Sequence, residues 1–295
     1  MNNEMAYLLG MICGNGTIRR GDNETNVSIE IPHKKQLTES GQDVLIYVKA
    51  SIADIRDILE PLIGTNISFV QEKSVTTLSF AKRNEDLLIR EILRLIGKAV
   101  SHENIRIHNE VFDYPDDMKK QFLRGFADVT GYIAKSGAYI IPCMHRVYLE
   151  VPHNWFLVVD ICNLLKTINI PVQNIDWAHP NIRDGNVRKY NEGYKNFWKK
   201  EHQIKIYANE FLPIGFSVSH KVKALHHLSD ELKEGLLKEG KDVKRTTHKF
   251  YWDTRESKKI KPHHPSETDT FIPEDIRGKH YNSWKDVAKD LGYSK

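Results

Sequence analysis

Cysteine is scarce in this chain. Cys13, Cys143 and Cys162 are the only three in 295 residues, and no two have CxxC spacing. That excludes a disulfide framework and the usual cysteine zinc site, and leads us to expect reduced thiols in a cytoplasmic protein that is not secreted. Long apolar runs are absent too. No stretch approaches the roughly 20 residues that cross a bilayer, so no membrane partner is expected. The N-terminus, MNNEMAYLL, has an acid and no basic region, unlike a signal peptide. Charge of one sign is also in short supply, with a net charge of only +4. The excess sits in residues 241–295, which hold 13 basic and 9 acidic residues, so the first 240 are neutral. Any positive face must therefore come from sorting charges between strand faces. Histidine is plentiful at 14, but His226–His227 and His263–His264 are adjacent pairs without ligand spacing. No metal ligand set is read from them.

The chain does contain a repeat. Tyr7–Ile18 reads YLLGMICGNGTI, and Phe122–Ile133 reads FLRGFADVTGYI. Each copy has an apolar run, a glycine, a second glycine six residues later, and a strand-like dipeptide. Helix-compatible residues end in each copy at a glycine able to adopt the left-handed conformation. Gly10 and Gly14 stand four apart on one helical face, where two backbones can approach closely. The second copy has Gly125 but Val129 at the matching position, so its contact is expected to be looser. Two such helices side by side would bring Asn15 and Thr130 to a shared end.

LLGMICGNG (Leu8–Gly16) and LRGFADVTG (Leu123–Gly131) resemble the paired nine-residue signature of the LAGLIDADG homing endonuclease family. The resemblance covers about Met1 to Gly240. It implies an α/β (α+β type) fold of two pseudo-symmetric αββαββα halves, with the motif helices between them and the sheets forming a DNA-binding saddle. It divides the chain into a first half at 1–114, a second at 115–240 and a basic extension at 241–295. It also implies a monomer that binds double-stranded DNA, with Asn15 and Thr130 in the catalytic positions and Lys205 as a basic residue near the scissile phosphates. In the family an acid at the penultimate motif position holds the catalytic metal. Here those positions hold an amide and a hydroxyl, which attract magnesium less than carboxylates do.

In chain order, Thr17–Lys35 reads as a strand pair with a turn at Gly21–Asn26, because Val27, Ile29 and Ile31 alternate with Ser28 and Glu30. Val44–Lys49 reads as a strand, then Ser51–Ile63 as a helix capped by Ser51. Thr76–Phe80 is a strand and Asn84–Ile96 a helix capped by Asn84. Residues 98–114 form a mostly polar bridge. The second half offers a strand at Arg146–Val151, a helix at Trp155–Ile168, a strand at Gln203–Glu210 and a helix at Ser219–Leu237. IEIPH (Ile29–His33) resembles LEVPH (Leu149–His153), yet VLIYVKASI also precedes a helix as RVYLEVPHN does. An extra strand or hairpin in the first half is therefore expected.

The segment between Trp177 and His202 mixes basic and aromatic residues, with seven basic residues and three acids from Arg183 to Lys205. Lysine and arginine hold phosphates and aromatics stack on bases, which nominates Arg188, Lys189, Trp198, Lys199 and Lys200 for DNA binding. Strand alternation turns Val147, Leu149 and Val151 toward the helices and leaves Arg146, Tyr148 and Glu150 for DNA. It likewise leaves Gln203, Lys205 and Tyr207 facing out. Arg19, Arg20, Ser28 and Glu30 in the first half and Lys135 in the second complete the candidate interface. The tail's HYNSWKDVAKDLGYSK offers a short helix capped by Asn282 or Ser283.

Together these features predict sequence-specific binding of double-stranded DNA with weak or lost metal-dependent cleavage. No cofactor is needed for binding, and Mg2+ would serve whatever cleavage survives. Two other readings use the same residues. One is an active endonuclease, with Asp176, Gln203 and Lys205 in a restriction-type acid and Gln-x-Lys pattern. The other is an intron-splicing protein that binds structured RNA. Asp128, two residues before Thr130 and about 200° round the helix, is expected to pair locally rather than replace the missing acid.

Overall fold

A computed structural model of the chain describes residues 2–38, 43–96, 105–134, 145–152, 154–172, 174–179 and 201–238. Among them the chain packs as two compact units. The first is built from Met1–Leu149 and Tyr207–Lys244, and the second holds Glu150–Ile206.

The first unit opens with α1 (Asn3–Asn15), whose Asn2 cap accepts the Met5 N–H at 2.9 Å. Every residue from Met5 to Gly14 is buried, which marks a helix enclosed on all sides. Then come β1 (Gly16–Arg20), β2 (Glu24–Pro32), a 3-10 turn (His33–Lys35), α2 (Val44–Ile63), β3 (Ser68–Gln71), β4 (Val75–Arg83), α3 (Leu87–Ile96) and α4 (Asn109–Phe112). The strands form an antiparallel sheet in the order β1-β2-β4-β3. Ile18, Val27, Ile29, Ile31, Leu78 and Phe80 are buried on one side of it. The second motif helix, α5 (Asp116–Thr130), follows with Asp116 and Asp117 in its first turn, where the helix dipole favours acids.

The plan then repeats. β5 (Gly131–Ala134), β6 (Arg146–Pro152), α6 (Trp155–Thr167), β7 (Asn174–His179) and β8 (Glu201–Tyr207) lead into α7 (Ala208–Phe211) and α8 (Ser219–Lys238). The second sheet has the matching order β5-β6-β8-β7. The fold is thus the expected pair of αββαββα repeats. Gly16 faces Ile29 and Gly131 faces Leu149, so IEIPH and LEVPH are equivalent and there is no extra strand among the described residues.

Several local expectations are corrected. Val44–Lys49 is not a strand but the first turns of α2. Asp43 caps it by accepting the Leu45 and Ile46 N–H groups, and Val48, Ser51, Ile52, Ile55, Leu59 and Ile63 make one helical stripe. The Ser51 hydroxyl therefore bonds back to the Tyr47 carbonyl instead of capping. Asp86, not Asn84, caps α3 through the Leu88 N–H. Asn84 instead staples the β1–β2 turn, donating to the Gly21 and Asp22 carbonyls and accepting from the Thr25 hydroxyl. β8 stops at Tyr207, where the chain turns into α7, and the short strands β3 and β7 were not anticipated. The motif helices end on extended backbone, with Gly16 at φ −90° and Gly131 at φ −96°, not in the left-handed region. Glycine is needed there for space: a Cβ on Gly16 would lie 2.5 Å from the Ile12 carbonyl oxygen.

Candidate nucleic-acid interface

The site is built on α1 and α5, which pack along each other inside the first unit. A Cβ on Gly10 would strike the Phe122 carbonyl, and one on Gly125 would strike the Tyr7 carbonyl. Tyr7 and Phe122 occupy equivalent places in the two copies, so the contact is reciprocal. The second copy is consequently no looser at its first glycine, contrary to expectation. Val129 and Gly14 form a knob and a gap: a Cβ on Gly14 would sit 2.6 Å from Val129 Cγ2.

This packing brings Asn15 and Thr130 to one end, as the repeat implied. The Asn15 amide donates across the helix pair to the Val129 carbonyl at 3.3 Å. Thr130 is buried, and its hydroxyl donates back to the Phe126 carbonyl at 2.7 Å. Both polar groups are engaged with backbone, and neither carries charge.

The one acid of the motifs points elsewhere. Asp128 is fully buried and accepts the Tyr7 hydroxyl at 2.8 Å and the Ser217 N–H at 3.0 Å. Burial raises its carboxyl above the ordinary range, with the Lys221 ammonium opposing. Burial, then the Asp128 charge, pushes the Tyr7 phenol well up. Lys221, also wholly buried, donates to the Asp128 carbonyl at 3.1 Å and the Gly131 carbonyl at 3.0 Å. Desolvation lowers it to about 8 against the pull of Asp128. The Gln36 amide donates to the same Asp128 carbonyl at 3.1 Å. Last-turn carbonyls of α5 are thus satisfied by side chains, and a cation sits at the negative end of the helix. Sequence reasoning missed Tyr7, Gln36, Ser217 and Lys221. One signal was available, since Lys221 falls on the apolar stripe of Val218, Leu225 and Leu228.

These residues do not fit a divalent ion held by two carboxylates. Neutral groups stand at the helix ends, and the nearby acid is turned into the core. Among the described residues no group of three or more His, Cys, Asp or Glu is placed to hold a metal.

The first sheet presents its other face as a grid of mostly polar side chains, with Ala81 and exposed Val70 among them. Glu24 pairs with Arg83, and Asn26 stands between Arg19 and Ala81. Ser28 stands between Thr17 and Ser79, with Ser68 beyond, and Thr77 stands between Glu30 and Val70. Arg19, Ser28 and Glu30 therefore share this face. Arg20 is exposed but lies on the Ile18 side of the pleat, at the strand end. Asn26, Ser79, Thr77 and Arg83 are further face residues, recoverable only once the register is known.

Of the second sheet's candidates, Arg146 and Tyr148 lie on the side opposite buried Val147 and Leu149. Tyr148 stacks on Tyr132 at 5.0 Å and 8°, and the Lys35 ammonium sits 4.7 Å from the Tyr132 ring centre. The Arg146 guanidinium lies 5.6 Å from the Tyr207 ring centre. In the second unit, Glu150 and Gln203 are buried and joined, the Gln203 amide donating to the Glu150 carboxylate at 2.9 Å. Alternation alone had placed both at the nucleic acid. Lys205 is half-buried opposite Asn174, and Asp176 lies opposite Gln203. Lys135, Arg188, Lys189, Trp198, Lys199 and Lys200, and the whole tail from 241, lie outside the described residues.

Among solved structures, the chain's likeness is to the LAGLIDADG homing endonucleases. It is similar to I-DmoI in complex with DNA and manganese at 12% identity and a TM-score of 0.39, over 77% of this chain and 96% of that one. It is similar to the meganuclease I-AabMI bound to uncleaved DNA at 14% identity and 0.36, over 83% and 100%. Full-length DUF199/WhiA from Thermatoga maritima aligns at 10% identity and 0.42, over 83% of this chain and 62% of that one. No family model and no curated protein matches the chain.

Proposed function

We propose that this chain binds double-stranded DNA sequence-specifically through the open faces of its two sheets, and that metal-dependent cleavage is weak or lost. The observation carrying the second half is the helix-end chemistry. The Asn15 amide and Thr130 hydroxyl both donate to carbonyls, and Asp128 is held by Tyr7 and Ser217. Metal-assisted phosphodiester hydrolysis needs an ion set against the scissile phosphate, and the two motif positions at this end offer it no formal negative charge.

Support for binding comes from the first sheet's face. Two residues along a strand span about 6.8 Å, close to two base-pair steps of about 3.4 Å. Arg19, Asn26 and Glu30 on that face are side-chain types that bond guanine, adenine and cytosine edges respectively in the major groove. The halves 1–114 and 115–240 would each read one half-site, as a monomer, with the basic segment around Lys199 and Lys200 adding phosphate contacts. Lys205 would lie near the backbone at the cleavage position.

The test is selection of the full-length protein on a randomised DNA duplex, with structured RNA of equal length as competitor. An enriched duplex motif, bound in calcium and hardly cut in magnesium, is expected. Preference for RNA, or robust double-strand cleavage, would overturn the proposal. Cleavage would direct attention to Asp176, Gln203 and Lys205.

A further inference from the structure

The row in the middle of the first sheet's open face is unusual in composition. Thr17, Ser28, Ser79 and Ser68 lie side by side across all four strands, so the row is made wholly of short hydroxyl side chains. None of the four makes a side-chain hydrogen bond among the described residues. Longer groups flank the row on both sides: Arg19 and Asn26 on one, Glu30 on the other. Over β1 and β2 this leaves a floor of hydroxyls between polar walls, while on β4 the flanking places are Ala81 and Thr77 and on β3 Val70. The equivalent places in the second repeat are filled differently. Tyr132 pairs with Tyr148 as Thr17 pairs with Ser28, and the two rings stack.

We infer that the Thr17–Ser28–Ser79–Ser68 row is a tolerant stripe in the DNA-reading face, where bases are met through water and several sequences are accepted. The inference rests on the DNA-binding reading above. Over β1 and β2 the long side chains of Arg19, Asn26 and Glu30 hold base edges away from the floor, and the short hydroxyls cannot bridge that gap directly. A hydroxyl donates or accepts by rotating, and a water between it and a base can do the same, so the row matches any base pattern presented to it. Ordered waters carry specificity only when their partners fix their direction. Four freely rotating hydroxyls do not. The bases over this row, about two steps wide, should therefore vary, while those over Arg19 with Asn26 and over Glu30 should be specified.

Selection on randomised duplexes tests this with the parent, Ser28→Ala with Ser79→Ala, and Ser79→Arg. In the parent, a stretch of about two base pairs inside the first half-site should show less than about threefold preference, between positions preferred by about fivefold or more. The double alanine variant removes two hydroxyls and the waters they hold, so it should weaken all duplexes by a similar factor of about two to five while the order of preferred bases stays the same. Ser79→Arg extends a long donor from the floor and should create a new guanine preference there, without changing the flanking positions. Ser79 is on the open face, so these variants should melt like the parent, and circular dichroism confirms that each is folded. An enriched motif with no tolerant stretch would overturn the inference while leaving the DNA-binding reading intact. So would loss of a specified base in the double alanine variant, or no new preference with arginine. Failure to enrich any duplex would overturn the DNA-binding reading and this inference with it.

Discussion

The helix pair can be challenged with one methyl group. Gly10→Ala adds a Cβ that lands on the Phe122 carbonyl and close to the Phe126 N–H, 2.9 Å from its nitrogen. Neither obstacle is a side chain that can swing aside. Two effects compete. Alanine favours a helix over glycine by about 1 kcal/mol. Overpacking against yielding side chains costs about 1–3 kcal/mol, and backbone in the way puts this site at about 4–5 kcal/mol. The clash should win by about 3–4 kcal/mol, because α1 and α5 must separate along a seam where Tyr7, Phe122 and Phe126 are fully buried. At this chain length that is a fall of about 10 °C in Tm. Gly125→Ala should match it, since its Cβ meets the Tyr7 carbonyl. Gly14→Ala meets side chains, the Val129 and Thr130 methyls at 2.6 and 2.8 Å and the Phe126 ring at 3.5 Å, and should cost about 0–2 kcal/mol once propensity is counted. The double Gly10→Ala, Gly125→Ala variant should cost less than the sum, because helices already parted by one methyl admit the second more easily. Urea unfolding followed by circular dichroism gives all four values. A Gly10→Ala variant more stable than the parent would mean propensity alone operates, and the reciprocal backbone contact would be refuted.

Asn15→Asp with Thr130→Asp puts carboxylates where donors now serve carbonyls, so it should lower Tm without metal and recover several degrees in magnesium. Differential scanning fluorimetry with and without magnesium checks this, and an equal magnesium response in the parent would count against the neutral-site reading. Cleavage of the selected duplex should rise in the same variant. Lys221 titrates at about 8 when folded against an ordinary 10.5, so the unfolded chain binds more protons between those values, and this group's contribution to stability rises with pH there. The parent should therefore gain on Lys221→Met by about 1 kcal/mol or more between pH 8 and 9.5, measured by urea unfolding; a pH-independent difference would refute it. Replacing Lys199 and Lys200 with alanine should weaken all duplexes alike and reduce the salt slope by about one or two, read from fluorescence anisotropy against salt. An unchanged slope would remove that segment from the DNA.

What the amino-acid sequence determined is what depends on short-range pattern. Glycines at fixed spacing in two copies define a close helix pair, and period-2 alternation in Val27–Ile31 and Val147–Val151 assigns sheet faces, because each rule needs only a few neighbouring residues. The tertiary structure decided whatever depends on a distant partner. Lys221 meets the Asp128 carbonyl across 93 positions, and no local signal says that a lysine on an apolar stripe will find two carbonyls. Glu150 and Gln203, 53 positions apart, alternate outward like base-reading residues, yet both are buried and the Gln203 amide donates to the Glu150 carboxylate. Val44–Lys49 carries a β-branched run that favours a strand locally. Asp43's cap and the buried stripe from Val48 to Ile63 make it helix, since packing of one face outweighs a propensity difference of tenths of a kcal/mol per residue. The hydroxyl row belongs to the same class: its four members come from four strands, and only the register sets them side by side.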